Sequence, residues 1–153
     1  MKIAVAGARD GIVTAEQAKI FGRIWRHLGG SILLHGCCPA RGTLKTDGVP
    51  ERIRGVDAWA HERATARGIP VETFPALQIA IGWPRCGPER VRRMVKACDV
   101  AVAFPGGKGT ENFRDFAIEF GKLLYDIPLE SAEEHRIIAT PRALTPAELE
   151  GMP

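Results

Sequence analysis

The sequence predicts an α/β fold, a parallel sheet with helices on both faces, and three observations predict it. Short apolar runs alternate with amphipathic stretches along most of the chain, the pattern of strands joined by helical crossovers. Right-handed crossovers then lay the strands parallel. Glycines stand at or just beyond the ends of three of the runs, at Gly7, Gly36 and 106–107, where a strand must bend sharply into a loop.

The elements follow in order. Residues 2–7 form the first strand. Thr14 is expected to cap the first helix, with Gln17 completing a capping box. Ala18, Phe21, Trp25 and Leu28 give that helix an apolar stripe, and Gly29-Gly30 ends it. Residues 31–35 form the second strand, stopped by Gly36. Residues 55–68 read as a helix with Val56, Trp59, Ala60 and Ala64 inward, and 69–74 as the third strand. Gly87-Pro88 opens the next helix, with proline at the favoured first position and Val91, Met94, Val95 and Cys98 as its buried stripe. Residues 100–104 form the fourth strand. Residues 110–124 read as a helix with Phe113, Phe116, Ala117, Phe120 and Leu124 inward, and 136–139 as the fifth strand. Thr145-Pro-Ala-Glu148 opens a short helix or stays irregular. The expected strand order is 3-2-1-4-5 in one domain, residues 1–140, followed by a tail, 141–153. Residues 39–54 interrupt the pattern. They mix Pro39, Gly42, Gly48 and Pro50 with charged side chains and keep no apolar period, so they are expected to form an inserted loop, either functional or a plain surface insertion.

Composition narrows the function classes. The chain has 153 residues, 45% hydrophobic and 25% charged, with a net charge of +3. That balance suits a soluble globular domain and is too mild to argue for duplex DNA. Aromatic residues make up only 7% and fall mostly on helical core stripes, so no stacking platform for single strands is expected. No apolar run reaches the roughly 18–20 residues of a membrane span, and a cytoplasmic location is the expectation. Adjacent Cys37-Cys38 does not make a CxxC pair, and no second pair accompanies it. The four cysteines are expected to be free thiols, with no metal site and no cofactor.

Four signals converge on the carboxyl edge of the sheet, where ligands bind in such folds. They are Gly7-Ala8-Arg9-Asp10, His35-Gly36, Gly87-Pro88-Glu89-Arg90 and Pro105-Gly106-Gly107-Lys108-Gly109-Thr110. The last leads from a buried strand into a helix start, where free N–H groups and the helix dipole favour an anion. Gly106 and Gly107 would admit a phosphate close to the backbone. The N–H groups of Gly109 and Thr110, with the Thr110 hydroxyl, would complete the cradle. Lys108 adds charge there or points to solvent. The spacing is not that of a P-loop. Arg90 stands in the first turn of its helix, where a cation needs an anion beside it. Arg9 either pairs with Asp10 or reaches a phosphate. His35 either bonds a ligand or is a satisfied core histidine. Trp83 either stacks on a base or plugs the sheet edge.

These motifs resemble the SLOG superfamily of Rossmann-like nucleotide-binding proteins, in its small, YspA-like branch. The resemblance rests on Gly7-Ala-Arg9-Asp10, His35-Gly36, Gly55-Val-Asp57 with Trp59-Ala60, Gly87-Pro-Glu-Arg90 with Met94, and Phe104-Pro-Gly-Gly-Lys-Gly-Thr110. It spans roughly residues 2 to 125 and implies a Rossmann-like domain that binds a nucleotide or nucleotide-derived molecule as carrier or sensor. Gly7, Ala8, Arg9, His35, Gly36, Asp57, Gly87, Arg90 and residues 106–110 are its candidate ligand contacts. Asp57 is a candidate for ribose or base, or else a cap of its helix. Glu89-Arg90 and 105–110 also resemble the lonely-guy phosphoribohydrolases, which implies an alternative, N-glycosidic hydrolysis by Arg90 and Glu111. Glu111 stands one place before the position that the hydrolase pattern uses, about 100° round a helix. Asn112 and Phe113 follow it, and Val91 replaces the asparagine usual after the arginine. The resemblance implies a homodimer, since such proteins often pair through helices beside the site, and the Phe113, Phe116 and Phe120 face is richer than one sheet needs.

Overall fold

The structure is a computed structural model that describes residues 1–38 and 52–127, together with the backbone of 136–138 and 143–144. The elements are β1 (Lys2–Ala6), α1 (Ala15–Leu28), β2 (Ile32–His35), α2 (Gly55–Ala66), β3 (Val71–Thr73), α3 (Cys86–Ala97), β4 (Val100–Ala103), α4 (Lys108–Glu119), β5 (Leu123–Asp126), β6 (Arg136–Ile138) and β7 (Ala143–Leu144). β1 to β5 form a parallel sheet in the order 3-2-1-4-5. The chain is thus α/β with a Rossmann-like arrangement, as its pattern of elements predicts.

Two placements differ from expectation. The fifth parallel strand is Leu123–Asp126, not 136–139. The later segment forms β6, antiparallel to β5, and β7 pairs antiparallel with β6 inside the stretch read as a tail. The helix expected over 110–124 ends at Glu119. Gly121 stops it by adopting a φ of 65°, while its N–H donates to Ile118 O at 3.1 Å and the Lys122 N–H to Ala117 O at 2.8 Å. This is the glycine closure that ends many helices. Leu124 therefore belongs to a strand, where it is fully buried. The helix expected at Thr145 and all but residues 52–54 of the insertion 39–54 lie outside the described residues.

The pleat explains the two layers. Side chains alternate across a strand, so Ile3, Val5, Val100 and Val102 face one way and Ala4, Ala101 and Ala103 the other. The larger set packs with Ile20, Phe21 and Ile24 of α1 and Val56, Ala60 and Ala64 of α2. The alanine set meets Val91, Met94 and Val95 of α3 and Phe113 and Ala117 of α4. Every residue of β4 is buried, as a central parallel strand requires. Each large aliphatic or aromatic side chain so buried contributes roughly 1.5–3 kcal/mol.

Capping places α1. The Thr14 hydroxyl accepts from the Gln17 N–H at 3.1 Å, and the Gln17 side chain accepts from the Thr14 N–H at 3.0 Å. The buried face of α1 centres on Ile20, Phe21 and Ile24. Ala18, Trp25 and Leu28 stand only partly buried at its margin.

Candidate functional site

β1 and β4 are neighbours at the point where the strand order reverses, and their carboxyl ends open toward the same edge. The Phe104 N–H donates to Ala6 O at 2.8 Å and the Ala8 N–H to Pro105 O at 2.9 Å. These bonds hold the two outgoing loops side by side. Beyond them lies a cleft of about 380 Å3. Gly7, Ala8, Arg9, Gly36, Asp57, Arg90, Gly107, Lys108, Gly109 and Thr110 all line it. His35, Gly87, Gly106 and Glu111 do not.

The outer wall is the elbow between β4 and α4. Gly107 caps the helix, and its carbonyl accepts from both the Thr110 and the Glu111 N–H at 3.1 Å. The Thr110 amide, expected to serve a phosphate, is therefore already engaged. The Lys108 and Gly109 N–H groups have no partner among the described residues. A Cβ on Gly107 or Gly109 would meet nothing within 4 Å, so both open onto free space. Gly106 works differently. A Cβ there would collide with the Thr110 hydroxyl and lie 2.9 Å from Ala8 N. Its lack of a side chain lets the elbow close against the β1 loop, and it stands outside the cleft wall. The Lys108 side chain is 85% exposed and pairs with Glu111 at 3.8 Å, which is the solvent-facing reading of this residue.

The inner wall is the turn after β2. His35 is fully buried. Its Nδ1 accepts from the Cys37 N–H at 3.0 Å, so Nε2 carries the proton and donates to His61 Nδ1 at 2.9 Å. Burial, with His61 and Arg90 nearby, pulls its pKa down from 6.5 to about 4. His35 is the satisfied core histidine of the two readings. Cys37 takes a φ of 54°, and the turn thereby presents the Cys38 N–H to Asp57 Oδ2 at 3.0 Å. Asp57 pins the turn rather than capping α2, whose N-cap is Arg54. Burial pushes the Asp57 carboxyl above its usual range, opposed by the Cys38 and Gly36 N–H groups and the Arg90 charge.

Arg90 reaches the inner wall from α3 and lines the cleft. Its Nη1 donates to Gly36 O at 2.8 Å. The guanidinium lies against Gly36, where a Cβ would be 3.2 Å from Cζ. Its Nε is buried with no acceptor among the described residues. Asp10 pairs with Arg54 at 3.2 Å instead of with Arg9, which lines the cleft and is exposed. Gly87 sits under the Trp83 ring, a Cβ there being 3.2 Å from Cζ3, and Trp83 itself does not line the cleft. Glu89 pairs with Arg93 at 2.6 Å, and Arg93 also donates to Pro75 O at 2.9 Å, which ties α3 to the loop before it. Arg90 and Glu111, the pair expected for hydrolysis, are not brought together in the cleft wall.

The cleft also takes in residues that were not candidate ligand contacts. Val91 and Met94 read as helix core, Met94 also alongside the Gly87–Arg90 motif and Val91 as a departure from the hydrolase pattern, yet they give the cleft an apolar floor. Cys38 also lines it; its place two residues past Gly36 was the available signal. Burial pushes the Cys38 thiol up and the Cys37 thiol to about 11, so neither is a ready nucleophile. Among the described residues no three His, Cys, Asp or Glu side chains cluster as a metal site, and no helix is long and apolar enough to cross a membrane. The arrangement offers free amides, two guanidiniums and an apolar floor, which suits an anion attached to an apolar body.

No family model matches the chain, and no curated protein matches it significantly.

Proposed function

We propose that the chain binds a phosphorylated nucleotide or nucleotide-derived molecule in this cleft, as a carrier or sensor of the SLOG kind. One observation carries the reading. The open helix start at 107–110 faces the same cleft as Arg9 and Arg90, at the switch point of a parallel sheet. Phosphate would take the free Lys108 and Gly109 amides, with the Thr110 hydroxyl beside them. Arg90 would neutralise it, and Val91 and Met94 would underlie the apolar part. N-glycosidic hydrolysis is the weaker reading. Glu111 stands outside the cleft, and the Asp57 carboxylate that lines it is committed to the Cys38 N–H.

The test is thermal unfolding with AMP as the probe, alongside mass spectrometry of small molecules released from the purified protein. AMP should raise the melting temperature in step with its concentration relative to Kd. Arg90→Lys should weaken AMP by about tenfold, because a point charge replaces a planar fork. A protein that releases no nucleotide-like molecule and ignores AMP overturns the reading. Release of free base from AMP would instead restore the hydrolase.

A homodimer belongs to the same reading. Phe113 is fully buried within the protomer. Phe116 and Phe120 stack at 5.9 Å, with Arg92 and Lys96 over the Phe120 ring. This face is thus partly covered by its own chain, and light scattering decides whether a second copy covers the rest.

A further inference from the structure

A second cavity, of about 240 Å3, lies between α1 and α2 and shares no residue with the cleft. Its floor is apolar, made by Phe21 and Trp25 of α1 with Leu33 and Ile69. Its rim is cationic, made by Arg26, Arg63 and Arg67, and no described residue lining it is acidic.

The geometry concentrates this charge. A Cβ on Gly22 would lie 3.0 Å from Arg63 Nη2 and 3.3 Å from Arg26 Nη1. Both guanidiniums therefore converge over the same bare stretch of α1. Arg63 is further held over the faces of Trp59, at 5.3 Å, and Phe21, at 5.9 Å. Arg67 donates to Arg63 O at 3.3 Å. None of the three makes an ion pair among the described residues. Burial together with the Arg67 and Arg26 charges makes the Arg63 cation less favourable than usual. Arg67 caps the carboxyl end of α2, one turn beyond Arg63, and the like charges of Arg67 and Arg26 both act against the Arg63 cation. Three guanidiniums lining one aromatic-floored cavity find no counter-ion among the described residues.

We propose that this cavity binds a small amphipathic carboxylate, its apolar body on Phe21 and Trp25 and its carboxylate on Arg26, Arg63 and Arg67. The volume lies below the ~300–1,000 Å3 of pockets for drug-sized ligands, so the ligand is a short acyl or single-ring acid. Guanidinium forks match a carboxylate in two-point geometry, and the aromatic floor rewards an apolar tail.

The test is a titration of the full chain, followed by the indole N–H resonance of Trp25, identified through Trp25→Phe. Octanoate and phenylacetate are the probes for the two sources of such a carboxylate, and octanamide is the uncharged control. At least one acid should shift Trp25 saturably, and octanamide should bind about tenfold more weakly than octanoate. Arg26→Gln, at an exposed position, should weaken the carboxylate by about threefold and leave octanamide unchanged. Arg63→Gln should do the same, with circular dichroism confirming that it folds. Equal binding of octanamide and octanoate overturns the proposal. So does a carboxylate affinity unmoved by both arginine variants, or a Trp25 resonance that no acid shifts. AMP, the probe for the cleft, should leave Trp25 in place.

Discussion

The outer wall of the cleft, residues 107–110, and its inner wall, the turn after β2 with Asp57 and Arg90, differ in where their hydrogen-bond donors go. On the outer wall the Lys108 and Gly109 amides have no partner among the described residues, and glycine leaves open space beside them. On the inner wall the Cys37 N–H goes to His35, the Cys38 N–H to Asp57 and an Arg90 N–H to Gly36. One wall keeps its donors for a ligand. The other commits its backbone N–H groups to fixing its own turn, and leaves the Arg90 Nε buried without an acceptor among the described residues. Buried donors must be satisfied or they cost about 1–3 kcal/mol each, so the inner wall is built inward and the exposed elbow is free to wait.

Acid should separate the walls most strongly. His35 has a folded pKa of about 4 against an ordinary 6.5, so the folded state binds fewer protons than the unfolded chain between those values. Its contribution is fully present above pH 6.5 and is lost as pH falls toward 4, by up to about 3 kcal/mol. Asp57 acts in the opposite sense. Its pKa is raised, so its share is present below its ordinary value of 3.8 and is lost as pH rises through the folded value. Urea unfolding between pH 7 and 4 should therefore give a steep loss in the native protein and a flatter curve in His35→Gln. Parallel curves would remove the histidine from the account.

Two adjacent glycines sharpen the contrast next. Gly106→Ala should cost roughly 1–3 kcal/mol, because the methyl meets the Thr110 hydroxyl and the Ala8 backbone. Gly107→Ala, whose methyl enters open space, should stay within about 0.5 kcal/mol of the native stability while weakening AMP. If the two variants unfold at the same urea concentration, the elbow is not packed against β1 as described. The smallest effect belongs to Glu111. Its exposed pair with Lys108 is worth about 0–1 kcal/mol, so Glu111→Gln should barely alter the urea midpoint or the AMP affinity. A large loss of either would bring that carboxylate back toward the cleft.

Much of the outer wall was legible in the sequence, because everything it needs is local. A buried run at 100–103, glycines at 106, 107 and 109, and a helix start within ten residues specify an elbow without knowledge of any other element. The inner wall was not legible in that way. Asp57 read as a ribose contact or a helix cap, yet it serves a turn nineteen residues earlier. His35 carried two readings until His61 and Cys37 were placed around it. Arg90 was suspected from its awkward position at a helix start, but its hold on Gly36 spans 54 residues. The helix overrun past Gly121 has a simpler cause. The Phe120 and Leu124 spacing imitates a helical stripe, and only the left-handed glycine and the pairing of β5 with β4 decide otherwise.

By itself the sequence determined the class of the fold, the strand order and the glycine elbow, since these follow from short-range periodicity, caps and the handedness of crossovers. Tertiary structure alone decided which donors were left over, where Glu111 stands and that three arginines line one cavity with Trp25. Those outcomes depend on which distant groups share a buried space, and burial is a property of the assembled layers rather than of any local run of residues.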